Sequence, residues 1–313
     1  MPFPLPTGPL RGILCKIFSV TLFTLMQTAI KLAGTDIAAG QITFYRSAFA
    51  LIPIFIYLAL IGQLRTGFVT ANVFGHVKRG VIGIASMGLS FYGLVHLPMP
   101  DAIAMGYAMP LVAVVFAAVF LKEEVRLYRW TAVCVGLFGV VILSWPKLTL
   151  FSSDGFGSEA AMGATAVLVA AALAAGAMLQ VRQLVQEEKT ATIVLYFSII
   201  AALMSLLTLP FGWSDLSSRQ FGLLALAGFL GGLGQIFLTE GYRHADISTI
   251  APFEYSSILF GSLLGYLFFA DLPTMNTLIG TVIVAGAGIF IILREHKLGL
   301  ERQAVRKAAS PNG

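Results

Sequence analysis

The sequence predicts an all-α integral membrane protein that crosses a bilayer about ten times. Of its 313 residues, 58% are hydrophobic and only 11% are charged, whereas soluble domains carry about 25% charged residues. Apolar runs recur along the whole chain, and most approach the roughly 20 residues that an α-helix needs to cross about 30 Å of hydrocarbon. The chain therefore has too little charged surface to cover a water-soluble globule of this size.

The connections between the apolar runs are short, so consecutive helices are expected to be antiparallel neighbours. The first run begins like a signal peptide, but polar Gln27 and basic Lys31 follow and no convincing cleavage site does, so we interpret it as a retained span. The predicted spans are Gly12–Lys31, Ala39–Ile61, Gly80–Leu97, Ala102–Leu121, Trp130–Trp145, Ala160–Val181, Ala191–Pro210, Phe221–Tyr242, Ser248–Phe269 and Thr277–Leu293.

The basic residues predict the orientation of the spans. Most of the 20 lysines and arginines, with Lys16 and Arg79 counted among them, fall on one side when both termini are placed in the cytoplasm. Only Lys147 and Arg219 fall in the opposite loops. Positive residues favour the cytoplasmic side, so we expect a multi-pass protein of a bacterial inner membrane with both termini cytoplasmic. No basic stripe suggests a nucleic-acid partner, and residues beyond 294 read as a disordered charged tail.

The chain contains a weak internal repeat. The segment Asp101–Val140 resembles Asp246–Gly288: each has an acidic residue opening an apolar helix, a second acid at its end, and then a Gly/Ala-rich helix. Five spans per copy is an odd number, so the second copy must enter the membrane from the opposite side. The predicted organisation is a cytoplasmic N-terminus (1–11), a first repeat (12–146), a second repeat (160–293) and a cytoplasmic tail (294–313).

Several runs resemble the drug/metabolite transporter superfamily of the EamA type: FYRSAFALIP, GYAMPLVAVVFAAVFLKEEV and APFEYSSILFGSLLGYLFFADLP. The resemblance covers nearly all of residues 12–293. It implies two helical bundles around a cavity that opens to one side at a time, with a small organic metabolite as substrate. The run RGVIGIASMGLSFYGLVHLPMPDAIAMGYAMPL is most similar to bacterial riboflavin transporters, which implies riboflavin uptake. Similar stretches in amino-acid exporters and S-adenosylmethionine carriers leave those substrates as alternatives.

Arg46 is the first candidate ligand for the substrate. It lies about 10 Å below the outer edge of the second span, where a charged residue costs about 2.5–3.5 kcal/mol to insert and usually faces a cavity or a partner. Gln41 and Tyr45 are polar neighbours on the same helix. Arg46 can clamp an anion or carbonyl of the substrate, or it can be structural and bonded to backbone carbonyls.

Glu254 is the second charged candidate, and it lies in the ninth span just after Pro252. A proline there removes a backbone donor and can open the helix. Glu254 is predicted to be a substrate ligand or a proton-coupling carboxylate, and adjacent Tyr255 can add an aromatic wall. The alternative is a carboxylate held by neighbouring tyrosine, serine or basic residues.

Further candidates are aromatic or amide side chains within spans. Tyr107 lies one helical turn before Pro110 near the middle of the fourth span, which predicts a hinge with a stacking surface. Tyr92 lies near the outer end of the third span and can line a vestibule or belong to an interfacial aromatic belt. Gln27 and Gln235 can reach a heteroaromatic edge, or they can form bonds between helices.

The sequence lacks the motifs that mark other classes of function. The sequence has no P-loop for ATP, no zinc-protease or serine-hydrolase motif, and only two cysteines. We therefore expect no cofactor or metal, and a secondary carrier, as a monomer or homodimer, rather than an intramembrane enzyme. A channel is a minor alternative, because a channel usually needs symmetric assembly around a filter.

Overall fold

The structure is a computed structural model that describes residues 9–120, 122, 125–148, 158–244 and 251–309. Within these ranges the chain is helical and contains no β-strand, which confirms the predicted all-α membrane class. The α-helices are α1 Pro9–Ala33, α2 Ala39–Leu60, α3 Val73–His96, α4 Met99–Gly106, α5 Ala108–Phe120, α6 Leu127–Leu148, α7 Glu159–Glu187, α8 Thr190–Ser205, α9 Ser218–His244, α10 Ser256–Phe269 and α11 Met275–Ala309.

Eight helical segments of the described chain are long and apolar enough to cross a membrane. One of them, Met99–Phe120, joins α4 and α5, and another continues α8 through a 3₁₀ segment, Leu206–Phe211. The apolar segment Phe253–Phe269 is shorter, and α3 carries several polar residues at its start. The count of ten spans stays a prediction.

Several helices extend beyond the predicted spans, and α3 and the last helix do so the furthest. The helix α3 begins at Val73, before the basic residues, because the Asn72 side chain accepts a hydrogen bond from the Gly75 amide and caps the helix there. The last helix continues to Ala309 instead of ending near Leu293, which contradicts the expected disorder of the tail up to that residue. Its sequence beyond the span is rich in Leu, Glu, Arg, Lys, Gln and Ala, the residues with the highest helix propensity.

The orientation argument counted Lys16 and Arg79 among the loop cations, and this placement is wrong. Both belong to helices, Lys16 to α1 and Arg79 to α3, and Lys16 is only 2% exposed. Neither residue lies in a loop. Arg65 and Lys78, by contrast, are exposed as expected.

Helix α9 lies between α1 and α2 because its glycines allow close approach on two sides. A Cβ at Gly231 would lie 2.7 Å from the Met26 sulfur of α1, and one at Gly232 would lie 2.6 Å from the Ala50 carbonyl of α2. Small residues at such spacing let membrane helices pack backbone to backbone. This packing joins the first two spans to a helix of the second half of the chain.

Glycines also bring other helix pairs together. Gly261 of α10 lies against Ile103 of α4, where an added Cβ would be 2.3 Å from Cδ1. Gly139 of α6 faces Ile283 of α11 in the same way, at 2.8 Å from Cγ2. The helices α3 and α7 also share a large interface, in which the Ser86 hydroxyl donates to the Ala170 carbonyl at 2.8 Å. The buried residues around these contacts form the main core cluster.

Candidate functional site

One membrane segment is interrupted, and its break meets the 3₁₀ start of a second apolar segment. Helix α4 ends at Gly106 and α5 begins at Ala108. Pro110 has no amide proton to donate to the Gly106 carbonyl four residues earlier, so the break follows from the sequence as predicted. In the other half of the chain, the 3₁₀ segment Ala251–Tyr255 precedes α10. In transporters, broken spans of this kind form the substrate site near the middle of the membrane.

Tyr107, at the break between α4 and α5, contacts the 3₁₀ start of the second segment directly. Its hydroxyl pairs with the Ser257 hydroxyl at 2.5 Å and donates to the Tyr255 carbonyl at 3.4 Å. The rings of Tyr107 and Tyr255 pack edge to face with centroids 4.9 Å apart. The Tyr255 hydroxyl lies where a Cβ of Gly288 would be, so the absence of a side chain there makes room for this ring. The junction thus combines two aromatic rings with hydroxyl groups.

Beside this junction lies an ion pair between Lys16 of α1 and Glu254. The lysine side chain is 3% exposed and the glutamate side chain 52% exposed. A buried ammonium group beside a carboxylate is the pairing that makes membrane charges tolerable. Half of the Glu254 side chain remains accessible, so its carboxylate can also meet a ligand or a proton.

A second ion pair links the opposite ends of the same segments, on the side that the predicted topology places outside the cell. The Lys31 ammonium group donates to the Asp271 carboxylate at 2.8 Å and to the Leu97 carbonyl at 2.5 Å. The same carboxylate oxygen of Asp271 accepts the Met99 amide at 3.1 Å. We define these four residues as the outer closure. It joins the end of α1 to the turn before α4 and to the end of α10.

We expect Asp271→Asn to loosen the outer closure, because an amide keeps the Met99 contact but removes the charge that holds Lys31. The reactivity of a cysteine at position 28 measures this loosening, because Thr28 is buried beside Met99 of the outer closure. A Thr28→Cys probe, in a chain lacking Cys15 and Cys134, should react about tenfold faster with an external impermeant maleimide, a shift of about 1.4 kcal/mol. Asp36→Asn, on an exposed loop acid, is the control. Equal labelling rates in both variants would contradict the prediction.

Gln41 and Tyr45 of α2 lie apart from this junction, in the wall of a cavity of about 520 Å³. The Gln41 amide donates to the Ser214 carbonyl at 2.8 Å and accepts the Ser214 amide at 3.1 Å. Gln41 therefore holds the loop before α9 against α2. Tyr45 packs with Trp213 and Phe221 in the same wall, at centroid distances of 6.5 and 5.7 Å.

The remaining predicted residues are distributed over several helices. Arg46 is buried in α2, with 6% exposure, and points at Gly231 of α9. Tyr92 stacks on His96 at 4.2 Å near the outer end of α3. Gln27 and Gln235 are half-buried on α1 and α9. The structure thus brings Tyr107, Tyr255 and Glu254 together near Pro110, whereas Gln41, Tyr45 and Tyr92 lie apart from them.

The sequence analysis did not single out three polar residues that lie within helices, Lys16, Arg79 and Ser257. Lys16, which sits within the apolar run GILCKIFSV, could have been recognised as an intramembrane charge. Arg79 follows Lys78 near a span end, so its position alone resembles a cytoplasmic anchor. Ser257 has no sequence signal, because a single serine in a span usually bonds its own helix.

Glu188, between α7 and α8, accepts hydrogen bonds from the loop before α3. Although its burial opposes ionisation, hydrogen bonds from the Thr70 hydroxyl and from the amides of Ala71 (2.8 Å) and Asn72 (3.3 Å) lower the pKa of this carboxyl below its ordinary 4.5. A lowered pKa in the folded state stabilises the protein above the unfolded value, and this contribution disappears as the pH falls through the lowered pKa.

We therefore expect Glu188→Gln to lower the Tm of the detergent-solubilised protein at pH 7 by about 2–4 °C. The difference from the wild type should narrow as the pH falls below about 4.5. Glu187→Gln is the matched control, since Glu187 is exposed and accepts one bond, from Asn72. A Tm difference that stays constant down to pH 4 would contradict this account.

The fold and the site define a class of protein: a multi-pass helical membrane protein in which a broken span meets the 3₁₀ start of a second apolar segment at a polar junction. Within the described chain, no group of three or more histidine, cysteine or acidic residues is arranged to hold a metal ion. The sequence profile of the EamA-like transporter family matches residues 10–145 and again residues 161–294. The chain belongs to this family, which confirms the resemblance, although the predicted domain boundaries stay a prediction.

Curated relatives cover most of the chain. It is 30% identical to the pseudopaline exporter of Pseudomonas aeruginosa, over 89% of this chain and 94% of the relative. It is 27% identical to the S-adenosylmethionine uptake transporter of Rickettsia prowazekii, over 92% of this chain and 94% of that relative. It is 25% identical to the riboflavin transporter of Rhizobium johnstonii, over 93% of both chains. These relatives are transporters of small metabolites rather than enzymes.

A solved crystal structure has the same fold. It superimposes with a TM-score of 0.62 at 18% identity and covers 93% of this chain and 99% of the other.

Proposed function

We propose that this chain is a secondary carrier that moves a small organic metabolite across the bacterial inner membrane by alternating access, with both termini in the cytoplasm. The observation that carries the proposal is the contact, at Tyr107, Tyr255 and Ser257, between the break after α4 and the 3₁₀ start before α10. One of these two segments comes from each half of the chain, so rocking one half against the other changes the access to this junction.

The ion pairs support such a movement. The outer closure joins α1 to both halves through Lys31 and Asp271, and Lys16 joins α1 to the inner part of the same second-half segment through Glu254. Charged pairs that bridge moving bodies can form in one state and separate in another. We propose that the Lys31 pair closes the outer side and that the Lys16 pair opens when the substrate enters from within.

Riboflavin uptake is the first substrate to test. The edge-to-face pair of Tyr107 and Tyr255 can offer an aromatic surface to a planar ring system. Tyr45 and Tyr92 belong to other aromatic groups. They would therefore contact the substrate along its path rather than in the same binding site as Tyr107 and Tyr255. The riboflavin transporter of Rhizobium johnstonii supports this substrate at 25% identity.

The second candidate is a zwitterionic metabolite such as an amino acid or S-adenosylmethionine, with import and export both open. The favouring observation is the separation of opposite charges, because Arg46 lies buried in α2 whereas half-exposed Glu254 lies at the junction. Glu254 is also our candidate for proton coupling. The relatives named for S-adenosylmethionine uptake and pseudopaline export support this class.

Counterflow in liposomes tests the proposal. Vesicles with the purified chain and an excess of unlabelled substrate should transiently accumulate labelled substrate, whereas empty vesicles should not. Riboflavin, S-adenosylmethionine and a set of amino acids are the compounds to use. A Glu254→Gln variant should lose the pH dependence of uptake. Failure of every compound to exchange would contradict the carrier, and an unchanged pH profile would contradict coupling through Glu254.

A further inference from the structure

The cavity of about 520 Å³ beside Gln41 combines aromatic rings with one charge. The rings come from Tyr45 of α2, Trp213 of the loop before α9, and Phe221 of α9. Asp215 is the one charged side chain among the described residues that line the cavity. The volume falls within the roughly 300–1,000 Å³ that small-molecule sites occupy. The cavity therefore has the size of a ligand site and a negative wall.

The three rings stand at steep angles to one another. The Tyr45 ring meets the Phe221 ring at 85°, with centroids 5.7 Å apart, and is tilted by 39° against the Trp213 ring at 6.5 Å. Phe221 is 45% exposed, and Tyr45 and Trp213 are half-buried. Because none of these three rings lies flat on another, parts of their faces remain open to the cavity. The face of an aromatic ring carries partial negative charge and attracts a cation.

Hydrogen bonds fix the segment that carries Trp213 and Asp215. The backbone of Ser214, between them, bonds the Gln41 side chain through both its amide and its carbonyl, at 3.1 and 2.8 Å. The Trp213 indole donates to the Thr208 hydroxyl at 2.9 Å. A wall that is positioned before a ligand arrives loses less conformational entropy on binding. The aromatic and acidic groups are thus held in place in advance.

The charge of the cavity favours a cation over an anion. Asp215 is exposed and, in the part of the chain that the structure describes, forms no ion pair. At the nearby start of α9, the Gln220 amide already donates to the Ser217 hydroxyl, which caps this helix end. A single carboxylate also offers too few oxygens for a metal ion such as Ca²⁺, which takes about six to eight. An organic cation fits the walls better than either.

The cavity lies at the same end of the helices as the outer closure. The Ser214 hydroxyl donates to the Asp36 carbonyl, and the Gln220 side chain donates to the Ala33 carbonyl, both at 3.2 Å. Ala33 follows Lys31 of the outer closure by two residues. The break after α4 lies deeper, beyond the eight residues of that helix. A solute that approaches from this side, which the predicted topology places outside the cell, meets the cavity before the break.

We propose that this cavity binds the positively charged organic group of the transported metabolite, an ammonium or sulfonium group, on that side of the membrane. The inference rests on the proposed carrier function and narrows its substrate to metabolites with such a group. Trp213 and Phe221 offer ring faces to the cation, and Asp215 supplies the opposite charge. Carbon substituents on the charged centre weaken its hydration, so aromatic rings bind it in preference to a small hydrated ion.

The fluorescence of Trp213 tests the site in the full chain in detergent, after Trp130 and Trp145 have been replaced by phenylalanine. Choline chloride is the probe. Its neutral analogue, in which a tert-butyl group replaces the trimethylammonium group, is the ligand control, because the two have the same shape and differ in charge. Choline should change the emission saturably, and the neutral analogue should bind at least about tenfold more weakly. Equal binding of both would overturn the cation site.

Two variants separate the contributions of the charge and of the rings. Asp215→Asn should weaken choline binding about fivefold, and this difference should shrink in about 1 M NaCl, where exposed charges are screened. Phe221→Leu keeps an apolar side chain without the ring and should also weaken binding about fivefold. Asp36→Asn and Phe211→Leu change an exposed acid and an exposed ring outside the cavity lining, so both should bind like the wild type. Unchanged binding in both cavity variants would overturn the proposal.

Counterflow separates this inference from the carrier itself. Exchange of S-adenosylmethionine or of an amino acid, inhibited by choline and weakened by Asp215→Asn, would support both. Riboflavin carries no positive group, so exchange of riboflavin alone, without inhibition by choline, would refute the cation site and leave the carrier intact. Choline binding without exchange of any compound would refute the carrier.

Discussion

Reversing the charge of either Lys16 or Glu254 is expected to reduce transport about 100-fold, and reversing both together is expected to recover much of the loss. Lys16→Glu places two carboxylates in contact beside the broken segment, and Glu254→Lys places two ammonium groups there. Like charges placed in contact repel each other, here with position 16 buried and position 254 half exposed, and a factor of 100 corresponds to about 2.7 kcal/mol. The double variant restores the attraction with its direction exchanged.

Counterflow rates in liposomes measure this prediction, with the amount of folded protein checked by size-exclusion chromatography. Lys78→Glu is the control, because Lys78 is exposed at the start of α3, and this variant should transport at the wild-type rate. Single reversals that transport normally would show that the pair has no part in the cycle. A double variant that folds but stays inactive would show that the Glu254 carboxylate itself is needed, as a ligand or for protons.

Replacing Gly232 by leucine is expected to prevent α9 from packing against α2. Even the first added carbon would lie 2.5 Å from the Pro53 ring and 2.6 Å from the Ala50 carbonyl, and a backbone contact cannot move aside as a flexible side chain can. Overpacking of a close-packed interior typically costs about 1–3 kcal/mol or more. We expect little folded protein from Gly232→Leu and a Tm lowered by several degrees for Gly232→Ala.

Gly222 offers a matched control on the same helix, since a Cβ there would meet nothing within 4 Å. Gly222→Leu should be inserted and folded like the wild type, with the Tm nearly unchanged. Fluorescence-detected size-exclusion chromatography of both variants, expressed in parallel, makes the comparison. A Gly232→Leu protein as abundant and monodisperse as Gly222→Leu would show that the close contact of α9 with α2 is not required for folding.

The proline and charge patterns allowed part of the site to be predicted. Pro110 predicted the break between α4 and α5, because the missing amide proton is a property of the residue itself. Arg46 and Glu254 were recognisable because charge within an apolar run needs a reason. Gln41 and Tyr45 were grouped with Arg46 because they are near it in sequence, yet Gln41 holds the loop at Ser214. Nearness along a helix does not establish which neighbouring helix a side chain meets.

By itself, the sequence determined that this chain is a helical membrane protein of the EamA-like family, since apolar length, low charge and family motifs are all properties of the linear chain. Only the tertiary structure decided which charges have partners. Lys16 and Glu254 are separated by 238 positions, and Lys31 and Asp271 by 240, so no local pattern links them. Arg79 looked like a membrane anchor until the packing of α3 against α8 placed its guanidinium group over the Phe197 ring, 3.9 Å from the ring centroid. The partner of a buried charge depends on how helices from distant parts of the chain pack, and a linear pattern does not contain that information.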